Sequence, residues 1–148
     1  MFPALLESSV DSAAVVREAR RWVGAKFAHQ GRTDHAVDCA GLVIKVAHSL
    51  GLSDFDFTNY SRRPDGVTLQ NLCDCHMSRY VGDPYPGMVA LIRFWKHPQH
   101  LAIIGDHAIP GQVTLIHAHS HAHGVVEHIL DRTWRDRIVA LYVLPGVS

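Results

Sequence analysis

The sequence predicts an α+β fold in which N-terminal helices pack on one face of a mainly antiparallel sheet of about five strands. Two observations support this prediction. Segments with helical periodicity come first in the chain, and short apolar runs separated by turn residues follow them. The chain has 148 residues, of which 47% are hydrophobic and 19% are charged. This composition excludes wholesale disorder, and the length predicts a single domain over residues 1–148.

Two helices are predicted in the first third of the chain. Within Asp11–Val23, apolar residues recur at helical spacing and arginines occupy the opposite face, which predicts an amphipathic helix that ends at Gly24. Phe27–Val37 has turn residues and no hydrophobic period, which is typical of a loop. A second helix is predicted over Cys39–Leu50. Asp38 precedes it and is a suitable N-cap, because its carboxylate can accept hydrogen bonds from the first turn.

The remainder of the chain changes from irregular segments to short strands. Ser53–Pro86 is the least regular region and contains one short predicted helix over Thr68–Met77. Lys96–Gln99 and His107–Gly111 are short enough to be hairpin loops, which favours antiparallel pairing. Asp131–Arg137 predicts one helical turn. The candidate strands are Met88–Trp95, His100–Gly105, Val113–Ala118, Val125–Ile129 and Ile138–Leu144.

Charge and segment composition narrow the classes of partner. Fourteen basic residues balance fourteen acidic ones, so we expect neither nucleic-acid binding through a basic patch nor attraction to an anionic membrane. Apolar runs such as Met88–Ile92 are far shorter than the ~20 residues that span a bilayer, so no membrane insertion is expected. Met1–Glu7 has neither a basic leader nor a long apolar stretch. We therefore expect synthesis in the cytoplasm without a signal peptide.

Cys39 is the first candidate for chemistry, because it opens a predicted helix. The sequence has three cysteines, and this odd number leaves at least one free thiol. A helix N-terminus offers partial positive charge and unpaired N–H groups, which favour a thiolate nucleophile and can stabilise an oxyanion. The small neighbours Ala40 and Gly41 would let a substrate approach closely. The alternative is that Cys39 is a small core residue.

Two histidines are candidates for the base and its orienting group. His100 opens one predicted strand and His117 lies near the end of the next, so an antiparallel hairpin brings the two imidazoles together. A thiol nucleophile needs a base, and the base needs an orienting partner. In this hypothesis His100 pairs with the Cys39 sulfur and His117 holds the His100 ring in one tautomer. The alternative is that each histidine is structural or solvated.

In their order and spacing, these residues and others resemble the NlpC/P60 cysteine peptidases. The resemblance extends from about Val15 to Leu144, which is nearly the whole chain. Its motifs are Asp38–Val43, Pro86–Leu91, His100–Gly105 and Ile116–Ala118. Three further fragments resemble the tail-associated members of bacteriophages and gene transfer agents: His29–Arg32, Arg62–Gly66 and Gly124–His128.

The resemblance implies a papain-like fold and a catalytic triad of Cys39, His100 and His117. It also implies hydrolysis of peptide bonds in bacterial peptidoglycan stem peptides, commonly the bond between D-γ-glutamyl and diaminopimelate residues, without a cofactor. Phage-type members are thought to open the wall locally from the tail tip. That relationship implies tail hub or tail-tip proteins as partners and incorporation into a phage-like tail.

Five positions are expected to lie near the substrate: Phe27, Asp38, Ala40, Arg62 and Arg63. Family members often carry Tyr where this chain has Phe27 and Ser where it has Ala40, so recognition of the stem peptide is expected to differ here. Arg62 and Arg63 suit the carboxylates of a stem peptide. Solvated surface arginines are the alternative reading of both.

Two other functions remain open from the sequence. The first alternative is a structural tail component that keeps the fold with little or no turnover. The second is a histidine-rich metal-binding protein, since alternate histidines in His117–His123 point to one side of an extended segment. Ligands on one loop rarely enforce a closed geometry, and Cys73–His76 lacks the spaced ligand pairs of a structural zinc site. We therefore predict no metal site.

Overall fold

The structure is a computed structural model that describes residues 10–148, and its α+β architecture confirms the predicted fold class. The predicted absence of a leader in Met1–Glu7 lies outside the described residues. Within residues 10–148 there are four α-helices: α1 Ser12–Arg20, α2 Cys39–Ser49, α3 Thr68–His76 and α4 Arg132–Arg135. A short 3₁₀ helix covers Ser120–Ala122.

Eight strands of the described chain form one mixed sheet in the order β2-β1-β7-β6-β5-β4-β8-β3. The strands are β1 Lys26–Phe27, β2 Ala36–Val37, β3 Ser78–Tyr80, β4 Val89–Arg93, β5 Pro98–Asp106, β6 Val113–His119, β7 Gly124–Ile129 and β8 Ile138–Val143. Neighbours pair antiparallel except β1 with β2.

The five predicted strands are the centre of this sheet, and three short strands extend its edges. β1 and β2 fall in the segment expected to be a loop, and β3 follows α3. Strands of two or three residues are too short to show an alternating pattern, so their pairing partners rather than their sequence define them.

Both faces of the central strands are buried, which explains their continuous apolar sequences. One face packs against α1 and α2 through residues such as Val15, Val46 and Leu91. The other face packs against the segment around α4, where Leu130 and Trp134 cover the second half of the core. No helix within residues 10–148 has the length and apolar character needed to cross a membrane.

Aspartate caps begin the first two helices and fix where the site lies. The Asp11 carboxylate accepts from the Ala14 N–H at 2.8 Å, and Asp38 accepts from the Gly41 N–H at 2.8 Å. α2 ends at Ser49, and Gly51 two residues later has a φ of 69° that suits glycine. The predicted cap at Asp38 is therefore confirmed, and Cys39 is the first residue of its helix.

Arg20 ties α1 to the sheet. Its guanidinium lies 2.6 Å from an oxygen of Asp106 on β5 and 2.8 Å from an oxygen of Glu127 on β7. Hydrogen bonds to Glu127 raise the pKa of Arg20 above its ordinary value. These ion pairs hold α1 against β5 and β7, on the face of the sheet opposite the histidines described below.

Candidate active site

Cys39 borders a cleft formed by the start of α2, the start of β5 and the loop that precedes α3. The residue is partly exposed at this cleft. Ala40, Arg62 and Arg63 line the same cleft, and Pro98 and Gln99 approach it from β5. The fold therefore brings together four of the residues that the sequence singled out, from segments more than twenty positions apart.

The thiol of Cys39 is held in its neutral form. Burial raises the pKa of this thiol to about 12, and the negative charge of Asp38 contributes in the same direction. Backbone N–H groups of Leu101 and Ala40 act against this but do not outweigh it. The expectation that the helix start favours a thiolate is therefore wrong in sign, because burial of the thiol, together with the negative charge of Asp38, outweighs the backbone N–H groups.

His100 and His117 form a buried pair of imidazoles, and the backbone N–H of Leu101, the residue after His100, interacts with the Cys39 thiol. His100 is 4% exposed and His117 is fully buried. Nε2 of His100 lies 2.7 Å from Nδ1 of His117. The two rings lie just beyond the paired end of the β5–β6 ladder, whose last pair is Ile103 with Ile116. The antiparallel hairpin thus brings the two rings together.

Both rings are neutral at neutral pH. Burial holds the pKa of His100 well below its usual range, and the nearby His117 and His119 lower it further. Burial lowers the pKa of His117 to about 3. Among residues 10–148, Nδ1 of His100 has no hydrogen-bond partner and no hydrogen bond joins the Cys39 sulfur to an imidazole. The thiol and both imidazoles are therefore neutral in the resting protein, and they form no ion pair.

Two residues that the sequence did not single out complete the surroundings of these rings. Nε2 of His117 lies 2.8 Å from Nε2 of His128 on β7. The ring centroid of Trp134 lies 5.1 Å from that of His117 and 5.4 Å from that of His128. The register of the antiparallel β6–β7 pair reveals His128, because it pairs Leu115 with His128 and so places His128 diagonal to His117.

Asp38 is fully engaged within the protein. It is 4% exposed and accepts four hydrogen bonds, from the backbone N–H groups of Gly41 and Gln30, the Arg32 guanidinium and the Tyr60 hydroxyl. This carboxylate therefore links the loop segments that contain Gln30 and Tyr60 to the start of α2. Burial and the hydrogen bond to Asp38 raise the pKa of Tyr60.

The other residues predicted to be near the substrate occupy different environments. Phe27 is partly buried against the hydrophobic core and does not line the cleft of Cys39. Arg62 and Arg63 are exposed, and neither guanidinium has an ion pair or hydrogen bond within the described chain. Gly41 does not open space for a substrate, because a Cβ there would collide with the Gly31 carbonyl oxygen.

The tracts considered for metal binding do not assemble a ligand set. Residues 10–148 contain no group of three or more His, Cys, Asp or Glu side chains arranged to hold a metal ion. Cys73 is buried and Cys75 is exposed, so they face different surroundings. His119 stacks on His117 with ring centroids 5.3 Å apart. The imidazoles of this tract therefore pack against one another and do not surround a common metal position.

Solved structures of NlpC/P60 proteins align with most of this chain. No family model and no curated protein sequence matches the chain. The NlpC/p60 domain of peptidoglycan hydrolase SagA aligns with a TM-score of 0.60 at 20% identity, over 90% of this chain and 98% of that chain. NlpC2 from Trichomonas vaginalis aligns with a TM-score of 0.63 at 15% identity, over 98% of this chain and 51% of that chain.

A third structure is Ly7917 with the hydrolyzing product of MDP, at a TM-score of 0.56 and 14% identity, over 92% of this chain and 64% of that chain. The chain spans about half the length of NlpC2 and somewhat less than two thirds of Ly7917. At these identities the likeness concerns architecture. The chain has the NlpC/P60 fold, as the sequence resemblance implied.

Proposed function

We propose that this protein is a cysteine peptidase that hydrolyses peptide bonds in the stem peptides of bacterial peptidoglycan. Cys39 is the nucleophile, His100 the base and His117 the group that orients the base. The observation that carries the proposal is the buried hydrogen bond of 2.7 Å between His100 and His117. The backbone N–H of Leu101, the residue after His100, interacts with the Cys39 thiol, and Cys39 itself lines an open cleft. The architecture shared with the domain of a peptidoglycan hydrolase supports the substrate class.

The electrostatics of the resting site determine the order of the first steps. Because both the thiol and the imidazole are neutral, the thiol proton moves to Nδ1 of His100 as the sulfur attacks the substrate carbonyl. The negative charge that develops on the carbonyl oxygen is stabilised by N–H groups at the start of α2. His100 then gives the proton to the leaving amine, which leaves an acyl group on sulfur.

Water completes the reaction. A water molecule, deprotonated by His100, attacks the thioester carbonyl, and the C–S bond breaks to release the carboxylic acid and restore the thiol. Trp134 packs against His117 with ring centroids 5.1 Å apart, so the face of the histidine pair away from the cleft is covered. No step requires a cofactor.

The two arginines at the cleft favour a substrate with free carboxylates. Arg62 and Arg63 line the cleft of Cys39 and lack an acidic partner within residues 10–148. Stem peptides carry free α-carboxylates, and a guanidinium binds a carboxylate through two parallel hydrogen bonds. We propose the D-γ-glutamyl–diaminopimelate bond as the scissile bond.

Mass spectrometry of muropeptides tests the proposal. Purified peptidoglycan is incubated with the wild-type chain and with Cys39→Ala, and cleavage products are expected only from the wild type. Cys73→Ala is the matched control, because it removes a buried cysteine away from the cleft and is expected to leave cleavage intact. Products from Cys39→Ala would reject the mechanism.

We propose further that the protein acts from a phage-type tail, bound to tail hub or tail-tip proteins, and opens the wall locally. The support is the set of tail-type sequence fragments at His29–Arg32, Arg62–Gly66 and Gly124–His128. Particles that carry Cys39→Ala are expected to lose infectivity. If such particles contain the protein and infect normally, its role in the tail is structural rather than enzymatic.

A further inference from the structure

The row of hydrogen-bonded imidazoles does not end at His117. Nε2 of His100 lies 2.7 Å from Nδ1 of His117, and Nε2 of His117 lies 2.8 Å from Nε2 of His128. Nδ1 of His128 then lies 3.0 Å from the carbonyl oxygen of Ile129. Three rings from three adjacent strands therefore form one chain, which begins at His100 and ends on the backbone carbonyl of Ile129.

The last contact fixes the direction of every hydrogen bond in the chain. A carbonyl oxygen only accepts, so Nδ1 of His128 carries a hydrogen. A neutral ring has one N–H, which makes Nε2 of His128 an acceptor and Nε2 of His117 a donor. Nδ1 of His117 is then an acceptor, and Nε2 of His100 donates to it. The remaining atom, Nδ1 of His100, has an unshared electron pair.

We propose that His128 is a positioning residue that, through His117, holds His100 in the tautomer whose Nδ1 is free to take the thiol proton. This inference rests on the proposed peptidase function only where it gives Nδ1 of His100 the role of accepting the thiol proton. The tautomer itself is a property of the resting protein.

His117 alone cannot make this choice. A neutral imidazole can either donate or accept at Nδ1, so an isolated pair of imidazoles has two directions of similar energy. A carboxylate in the place of His117 would impose one direction because it only accepts, but no Asp or Glu side chain within residues 10–148 hydrogen-bonds to either ring. The Ile129 carbonyl, which only accepts, selects one direction of the hydrogen bonds. The ring of His128 imposes that direction on His117.

Burial keeps the first two rings of the chain neutral. His117 is fully buried, and burial lowers the pKa of both His100 and His117. His119 stacks on His117, and its own pKa is lowered by burial. Trp134 lies within 6.4 Å, centroid to centroid, of His100, His117 and His128. The indole of Trp134 thus packs against all three of the hydrogen-bonded imidazoles.

Long-range ¹H–¹⁵N correlation spectra of the full chain with labelled histidine test the tautomers directly. At neutral pH the wild type is expected to have Nε2–H and a bare Nδ1 in both His100 and His117. His128→Leu removes the acceptor for His117, and the His100 signal is expected to move toward the Nδ1–H form. His128→Gln keeps an acceptor oxygen and is expected to preserve the wild-type tautomer.

Kinetics supply the second readout. His128→Leu is expected to lower kcat roughly tenfold with KM unchanged, because the buried Nε2–H of His117 loses its acceptor and the reversed direction, in which Nδ1 of His100 carries the hydrogen, becomes the favoured one. His128→Gln is expected to remain within about twofold of the wild type. His35→Leu is the control, since it replaces an exposed histidine outside the chain of rings.

A wild-type spectrum with Nδ1–H on His100 overturns the inference, and so does an unchanged His100 tautomer in His128→Leu. If His128→Leu does not fold, the wild-type spectrum decides alone. A wild type that has the expected tautomers but leaves muropeptides uncleaved contradicts the proposed function and upholds the role of His128. The two failures are therefore distinguishable.

Discussion

Replacing Asp38 by asparagine tests whether one carboxylate both braces the wall of the cleft and keeps the thiol neutral. An asparagine retains an oxygen for the Gly41 N–H, so the helix cap persists. Its amide NH₂ then faces the Gln30 N–H, which lies 2.8 Å from the carboxylate in the wild type. Two donors would meet there, and the bond from Arg32 would lose the charge on its acceptor.

The cost of this change follows from the contacts. A buried N–H without an acceptor costs ~1–3 kcal/mol, and exchanging a charge-assisted for a neutral hydrogen bond costs about 1 kcal/mol more. We therefore expect Asp38→Asn to lower the free energy of unfolding by about 2–4 kcal/mol. Urea titration of the full chain should show a midpoint lower by roughly 1–2 M with an unchanged slope.

The same substitution is expected to lower the pKa of the Cys39 thiol, because the negative charge of Asp38 helps to raise it. The rate of alkylation by iodoacetamide, followed against pH, should reach half its maximum at a lower pH than in the wild type. Peptide mapping assigns the reaction to Cys39 rather than to another cysteine.

Asp56→Asn is the matched control. Asp56 also binds Arg32, at 2.9 Å, but it is exposed and does not contribute to the thiol pKa. We expect a loss below about 1 kcal/mol and no shift in the alkylation profile. The reasoning is refuted if folded Asp38→Asn has an unchanged or higher alkylation midpoint, or if it is no less stable than Asp56→Asn.

Three further predictions address the rings, the cleft and the helix start. Because burial lowers the pKa of His100 and His117 below 6.5, the unfolded chain binds protons that the native state does not. The free energy of unfolding should therefore fall as the pH drops from about 6.5 toward 3, by up to ~1.4 kcal/mol per pH unit for each ring. Urea titrations at several pH values measure this fall, which should be shallower in His117→Asn. Replacing Arg62 and Arg63 together by alanine should raise KM for a stem-peptide substrate with little change in kcat, and an unchanged KM would exclude them from binding. Gly41→Ala should destabilise the protein by ~1–3 kcal/mol in urea unfolding, since its Cβ has no space; wild-type stability would contradict this.

The parts of the fold that the sequence predicted are those with long or strongly patterned segments. α2 and the five central strands have apolar runs that reflect burial on one or both faces. β1 and β2 have two residues each and were expected to be loop, because their pairing depends on neighbours distant in the chain. Hydrophobic pattern therefore defines the core of the sheet, and tertiary pairing defines its edges.

The candidate site divides in a similar way. Cys39, His100 and His117 follow from helix start, hairpin pairing and order in the chain, and the structure brings the two rings to 2.7 Å. The protonation state of Cys39 could not be predicted, because it depends on burial and on how close the Asp38 charge lies. His128 was missed because diagonal pairing across β6 and β7 needs the register, which no single segment encodes.

The bonds made by Asp38 also have a consequence for engineering. They anchor Tyr60 to the start of α2, whereas the exposed side chains of Arg62 and Arg63, a few positions further on, are attached to nothing else in the described chain. One loop thus combines a fixed attachment point at Tyr60 with two unattached guanidinium groups. For the peptidase proposed above, libraries restricted to positions 62 and 63 should leave Cys39 in place and alter substrate preference.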